Sequence, residues 1–214
     1  MITVYHLSSS RSERIVWLLE ELGLDYRMEF HMREPNGAAP AAMKALHALG
    51  KAPIIRDGER VLAESGAIVE YIVQRHGGGG LAVAPSAPEY AAYVYWMHFA
   101  EGSLMTLMLI ALVISRIPEA KDSPVRARVL DRLKQMLAFV DGELAGREYF
   151  AGAFTAADVM MVFPFTTMRR YLDYDISPYA NIAAYLGRIE ARPAFRKAME
   201  LAGPDARPAE KRST

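Results

Sequence analysis

Two short stretches hold the residue types that could do chemistry. Leu49-Gly50-Lys51-Ala52-Pro53 reads as a loop that turns into a strand at a proline. Ala63-Glu64-Ser65-Gly66-Ala67-Ile68 reads as a strand end that enters a helix through a carboxylate and a hydroxyl. Between them, Ile54-Ile55-Arg56-Asp57-Gly58-Glu59-Arg60-Val61-Leu62 is a hairpin pattern with Asp-Gly as the turn signal. Such a hairpin gathers the ammonium of Lys51, a strand edge at Ala52, the carboxylate of Glu64 and the hydroxyl of Ser65. That set suits a small zwitterionic peptide better than a metal ion or a nucleotide. A third stretch, Ser8-Ser9-Ser10, lies between a strand pattern and a helix pattern and offers hydroxyls beside a helix amino end.

Composition excludes several other chemistries. Among 214 residues, 25 basic side chains balance 25 acidic ones, and no basic block interleaves with aromatics, which argues against nucleic acid as a partner. With 0 cysteines there is no disulfide, thiolate ligand or cysteine nucleophile. The 5 histidines show neither an HExxH motif nor a zinc-like pairing, so no metal is expected. The opening Met-Ile-Thr-Val-Tyr-His is a strand pattern and not a signal peptide. The longest apolar run, residues 104–114, falls short of the roughly 20 residues that cross a bilayer. The expectation is a soluble, cytoplasmic protein without a membrane partner.

These residues must be positioned by two kinds of structure. Residues 2–6 and 26–31 read as strands around a helix at 14–22, which Gly23 stops. Residues 52–56 and 61–63 form the hairpin, and 65–76 a helix with Ile68, Val69, Ile72 and Val73 inward. The order βαβ–ββα predicts a four-stranded mixed sheet. Gly77-Gly78-Gly79-Gly80 leads into a linker at 78–88. All that follows reads as helix: 89–115, 125–145 behind a Ser123-Pro124 cap, a third helix from Thr155-Ala156-Ala157-Asp158 towards Tyr171, then 178–191 and 193–201. The expected domains are residues 1–77, the linker 78–88, a helical domain 89–202 and a flexible tail 203–214.

This organisation resembles the cytosolic glutathione transferases over about residues 1 to 200. Gly50-Lys51-Ala52-Pro53 is similar to that family's loop before a cis-proline, and residues 63–72 (AESGAIVEYI) to its glutathione-binding strand–helix turn. Residues 10–24, with Ser-Arg-Ser-Glu-Arg and Trp-Leu-Leu-Glu-Glu-Leu-Gly-Leu, resemble the start of serine-type bacterial and fungal members. Residues 154–163 (FTAADVMMVF) are similar to the family's capping box in the helical domain. The implied fold is a thioredoxin-like N-terminal domain followed by an all-α helical bundle, in a homodimer whose subunits pack one kind of domain on the other.

The resemblance also implies roles. The catalytic hydroxyl that stabilises the glutathione thiolate lies in the serine loop. Ser10, four residues before Arg14, is the first choice and Ser9 the second. On its own spacing Ser10 also fits a capping box with Glu13. Tyr5, inside the first strand, is a rival thiol partner that suits a core aromatic better. Lys51 pairs with the glycine-end carboxylate. Ala52 binds the cysteinyl backbone as an added strand beside cis-Pro53. Glu64 and Ser65 take the γ-glutamyl ammonium and carboxylate. Arg11 could lower the thiol pKa further or form a salt bridge, and His47 is an edge-contact candidate against the commoner surface histidine. A small hydrophobic second substrate is expected between the domains against Met97, Phe99, Glu101, Met105 and Met108, although methionines at helical spacing are more often core. The expected activity is conjugation of glutathione to an electrophile, in detoxification. Two rivals are glutathione-dependent reduction of peroxides or disulfides without a protein cysteine, and a non-catalytic binding role on the same fold.

Overall fold

The computed structural model describes residues 1–208; the end of the expected tail, residues 209–214, lies outside them. The chain divides into two compact units, Met1–Gly80 together with the chain from Ala191 onward, and Leu81–Glu190.

The first unit carries β1 (Ile2–Leu7), α1 (Glu13–Glu21), β2 (Tyr26–His31), the short α2 (Ala41–Leu46), β3 (Ile54–Asp57), β4 (Arg60–Ala63) and α3 (Ser65–Arg75). The sheet order is β2-β1-β3-β4, with β1 parallel to β2 and the other pairs antiparallel. This is the thioredoxin-like βαβ–ββα arrangement that the resemblance implies. Asp57 pairs with Arg60, so the hairpin loop is Gly58-Glu59, and Gly58 takes the left-handed conformation (φ +59°) that such turns need. α1 buries Ile15, Val16, Leu18 and Leu19. It stops in a Schellman motif, with Gly23 at φ +63°, the Gly23 amide donating to Glu20 and the Leu24 amide to Leu19.

The last helix belongs to this unit. α9 (Pro193–Ala202), which chain order assigns to the helical domain, lies against α1. Trp17 and Phe195 meet edge to face at 4.9 Å. Arg192 grips both carboxylate oxygens of Glu21 at 2.7 Å, and Lys197 reaches Glu20 at 2.8 Å. Residues 203–206 stay packed: Ala206 is buried, and the Pro204 carbonyl accepts the Ser9 hydroxyl at 3.3 Å.

The second unit holds α4 (Tyr90–Phe99), α5 (Thr106–Ser115), α6 (Pro124–Glu143), α7 (Ala156–Phe165) and α8 (Ala180–Glu190). α4 and α5 run on through one π-helical segment, Ala100–Met105. The apolar run at 104–114 is thus part of a 26-residue helix, Tyr90–Ser115, which by length and composition could cross a membrane. In this unit it packs on α7 and α6, with Tyr93, Trp96, Phe99, Leu104, Met105 and Met108 buried. Ser123 caps α6 as expected, accepting the Arg126 amide at 3.2 Å. α7 ends at Phe165, short of Tyr171. Pro164 has no N–H to continue the ladder, the chain leaves the helix at Thr166, and Tyr174 donates to the released Pro164 carbonyl at 2.6 Å.

The capping box of α7 is complete. The Thr155 hydroxyl accepts the Ala157 amide, and Asp158 accepts the Thr155 amide at 2.8 Å and the Phe150 amide at 3.2 Å. Burial pushes the Asp158 carboxyl up to about 6, while those donors pull the other way. Its folded value therefore exceeds the ordinary 3.8. Folding takes up a proton in this window, so this group's stabilisation is full below the unfolded value and is lost as pH rises through the folded one. Wild type should therefore exceed Asp158→Asn in stability by about 2 kcal/mol more at pH 4 than at pH 7. Urea unfolding at the two pH values measures this, and a gap that widens with pH would show the carboxylate ionised in the fold.

Candidate functional site

Strand register brings three segments to one end of the sheet. Tyr5 sits opposite Ile54, and Ile54 opposite Ala63. The loop leaving β1, the segment entering β3 and the turn leaving β4 are therefore neighbours. Strands lie about 4.8 Å apart, so the β1 loop and the β4 turn are roughly 10 Å apart across the sheet. Three extended residues span about 10 Å.

The serine loop is built from buried hydroxyls. Ser10 is 5% exposed and Ser12 fully buried. Their oxygens lie 2.7 Å apart, and the Ser12 amide donates to the Ser10 hydroxyl at 3.3 Å. Ser12, the residue preceding α1, makes no side-chain cap. Its hydroxyl accepts the Leu7 amide at 3.2 Å and lies 2.8 Å from His6 Nδ1. The capping box expected of Ser10 and Glu13 thus gives way to a tight turn, in which the Glu13 amide donates to the Ser10 carbonyl. Ser9 is half-buried with a left-handed backbone (φ +49°), and its hydroxyl turns to the Pro204 carbonyl. Arg11 is half-buried in the same turn.

The loop is held by Arg33, just past the end of β2, which the sequence reading did not single out. Its amide donates to the Ser8 hydroxyl at 3.1 Å. Its guanidinium donates to the carbonyls of Ser8 (3.0 Å), Ser9 (3.2 Å) and Gly37 (2.9 Å). No local pattern signals a clamp between residues 24 and 25 positions apart.

Before β3, the Ala52–Pro53 bond is cis. Pro53 is buried, Ala52 half-buried and Lys51 exposed. Ala52 packs on the cluster of Tyr5, Leu7, Met43 and Ile54, so α2 supports this strand edge through Met43. Gly50 is left-handed (φ +57°), and a Cβ there would meet Lys44 Cγ at 2.6 Å. That position admits only glycine without movement of Lys44. His47 is half-buried and works locally, its Nδ1 accepting the Leu49 amide at 3.4 Å.

At the β4 turn, Glu64 is exposed and strained at φ +74°, and Ser65 is buried as the first residue of α3. Glu64 makes no side-chain cap. Tyr5 is 6% exposed and its hydroxyl accepts Arg56 Nε at 3.1 Å. Its ring lies in the core cluster with Met43.

Comparison with known proteins decides the family. Residues 1–74 match the family model described as glutathione S-transferase, N-terminal domain, and residues 104–193 its C-terminal counterpart. Glutathione S-transferase 3 of Schizosaccharomyces pombe is 37% identical over 94% of this chain and 87% of its own length. The chain belongs to the glutathione S-transferase family. A solved glutathione S-transferase from Actinobacillus pleuropneumoniae superposes with a TM-score of 0.86 at 36% identity, covering 96% of this chain and 95% of its own. A sphingomonad glutathione S-transferase solved with glutathione reaches 0.76 at 26% identity, covering 94% and 98%.

In the helical unit of this transferase, Met105 and Met108 lie in the core at 1% and 0% exposure. Met97 and Glu101 are half-buried. Phe99, with Tyr95, Thr106, Ile110, Arg132 and Phe139, lines an open groove between the α4–α5 helix and α6 within this unit. Among the described residues no three His, Asp or Glu side chains gather as a metal site.

Arg33→Ala should cost about 1–3 kcal/mol, because the Ser8, Ser9 and Gly37 carbonyls lose their charged donor. Hydrogen exchange at the Ser9 and Ser10 amides should quicken. Arg33→Lys should not restore protection, since one ammonium cannot span three carbonyls. Unchanged exchange in Arg33→Ala would remove the clamp from the account.

Proposed function

We propose that the chain transfers the glutathione thiolate to an electrophilic carbon of a small hydrophobic compound. The observation that carries this reading is the convergence of a hydroxyl loop, a strand edge and a helix-start turn across about 10 Å, the span of an extended tripeptide. In this reading the cysteinyl backbone pairs with Ala52, the glycine-end carboxylate faces Lys51, and the γ-glutamyl end meets Glu64 and the Ser65 N–H at the start of α3. The thiol hydrogen is lost to solvent. The Ser10 O–H donates to the sulfur anion and lowers its pKa towards neutrality. The sulfur lone pair then forms the C–S bond while the leaving group departs with its electron pair. With an activated double bond, the adjacent carbon takes up a proton instead.

Ser10 is preferred to Ser9 because the Ser9 hydroxyl is turned to Pro204. Exposed Leu109, Ile110 and Val113 on α5 and Phe139 on α6 support a homodimer. The cytoplasm, where reduced glutathione is abundant, is the compartment this chemistry needs. Detoxification is the role it would serve.

Ser9→Ala/Ser10→Ala should bind glutathione in calorimetric titration yet lose conjugating activity by about 100-fold or more. Undiminished turnover in that variant would remove the serine loop from the chemistry. Sedimentation equilibrium should give twice the 23.8 kDa chain mass, and a monomer that retains full activity would rule out the dimer.

A further inference from the structure

We infer that His6, through Ser12, turns the Ser10 hydroxyl outward as a donor, so that His6 and Ser12 are positioning residues for the thiolate. The inference rests on Ser10 being the thiolate partner.

The geometry is a chain of three buried groups. His6 Nδ1 lies 2.8 Å from Ser12 Oγ, which lies 2.7 Å from Ser10 Oγ. His6 is fully buried in β1. Burial, with His31 adding a smaller effect, lowers its pKa to about 4, so the ring is neutral at physiological pH and carries one N–H. The tautomer decides where every hydroxyl hydrogen points.

With the hydrogen on Nδ1, the donors and acceptors match one to one. Ser12 Oγ accepts from His6 Nδ1 and from the Leu7 amide. Both acceptor positions are then filled, and the Ser12 hydrogen goes to Ser10 at 2.7 Å in preference to the Leu7 carbonyl at 3.4 Å. Ser10 Oγ accepts that hydrogen and the Ser12 amide. Its own O–H is the one donor left, and it points away from Ser12.

With the hydrogen on Nε2, Ser12 donates to His6 instead. The 2.7 Å contact between the two hydroxyls then requires Ser10 to donate inward to Ser12. That tautomer also places an N–H at Nε2, a buried atom with no hydrogen-bond partner. Orphaned buried N–H groups are rarer than under-satisfied acceptors. The Nδ1–H form is therefore the one the site selects, and it presents Ser10 ready to donate. No proton is transferred along the chain; its effect is orientation in advance of binding.

Three measurements test this. Nitrogen-15 NMR of the wild-type protein should show His6 protonated on Nδ1, and an Nε2–H tautomer would overturn the inference. The thiolate absorbance of bound glutathione, followed against pH, should give a thiol pKa raised by about one unit in Ser12→Ala, which is about tenfold less thiolate at neutral pH. The glutathione Kd should be unchanged and kcat should fall about tenfold. His6→Asn, whose amide can donate in place of Nδ1, should hold the wild-type thiol pKa, while His6→Leu should raise it as Ser12→Ala does. Ser10→Ala separates the two readings. If it raises the thiol pKa and Ser12→Ala does not, the positioning role falls and Ser10 stands. If Ser10→Ala leaves the thiol pKa unmoved, both fall.

Discussion

Tyr5 pairs with Ile54 across the antiparallel β1–β3 ladder, and Ile54 pairs with Ala63 across β3–β4. From this register follows the placement of every candidate group in the first unit. Because β3 runs against β1, the chain arrives at cis-Pro53 where it has just left β1. Because β4 runs against β3, it returns to the same end before entering α3. Ile54 and Ile55 are both 0% exposed and Arg56 is exposed, so a slip of one residue would either move Ile55 to the exposed place of Arg56 or drive Arg56 into the buried place of Ile55. Core burial therefore protects the site geometry, and of the site residues Ala52 itself packs on that core.

The loops at that end adopt backbone conformations that the core would not choose. Of the three described non-glycine residues with positive φ, Ser9 (+49°) and Glu64 (+74°) flank the site. Each costs of order 1 kcal/mol and persists only where neighbours over-determine it. Ser9 is held by the guanidinium of Arg33 on its carbonyl and by Pro204 on its hydroxyl. The Glu64 carbonyl receives the first helical amide of α3, from Ile68 at 2.9 Å. Docking of α9 on α1 is thus more than a packing detail, because the chain just after α9 supplies the Pro204 acceptor. The bidentate Arg192–Glu21 pair, with Glu21 only 8% exposed, anchors that segment better than a surface ion pair could.

Local pattern was enough to find the element order βαβ–ββα, the hairpin turn, the helix stop at Gly23 and the caps at Ser123 and Thr155, because each element, turn and cap is signalled by residues close together in the chain. What it missed is non-local. The α9–α1 pairing joins residues 171 positions apart, and Arg33 joins residues 25 apart. The π segment at Ala100–Met105 leaves no mark in a helical pattern, so 89–115 reads as one helix. His6 has no metal-like spacing and reads as a strand residue, since alternation along β1 cannot show that its ring meets a serine six positions on.

Ser9 and Ser10 illustrate why adjacent hydroxyls resist separation in sequence. Spacing to Arg14 differs by one residue, which a loop absorbs freely. In the fold the left-handed turn at Ser9 sends the two side chains to unlike partners, one to a carbonyl and one to a hydroxyl. A carbonyl can only accept, so the Ser9 hydrogen is taken. A hydroxyl can accept or donate, so the Ser10 hydrogen is released or held according to what lies behind Ser12. The turn thus sets the partner of each serine, and a buried imidazole that neither one touches sets which way the Ser10 hydrogen points.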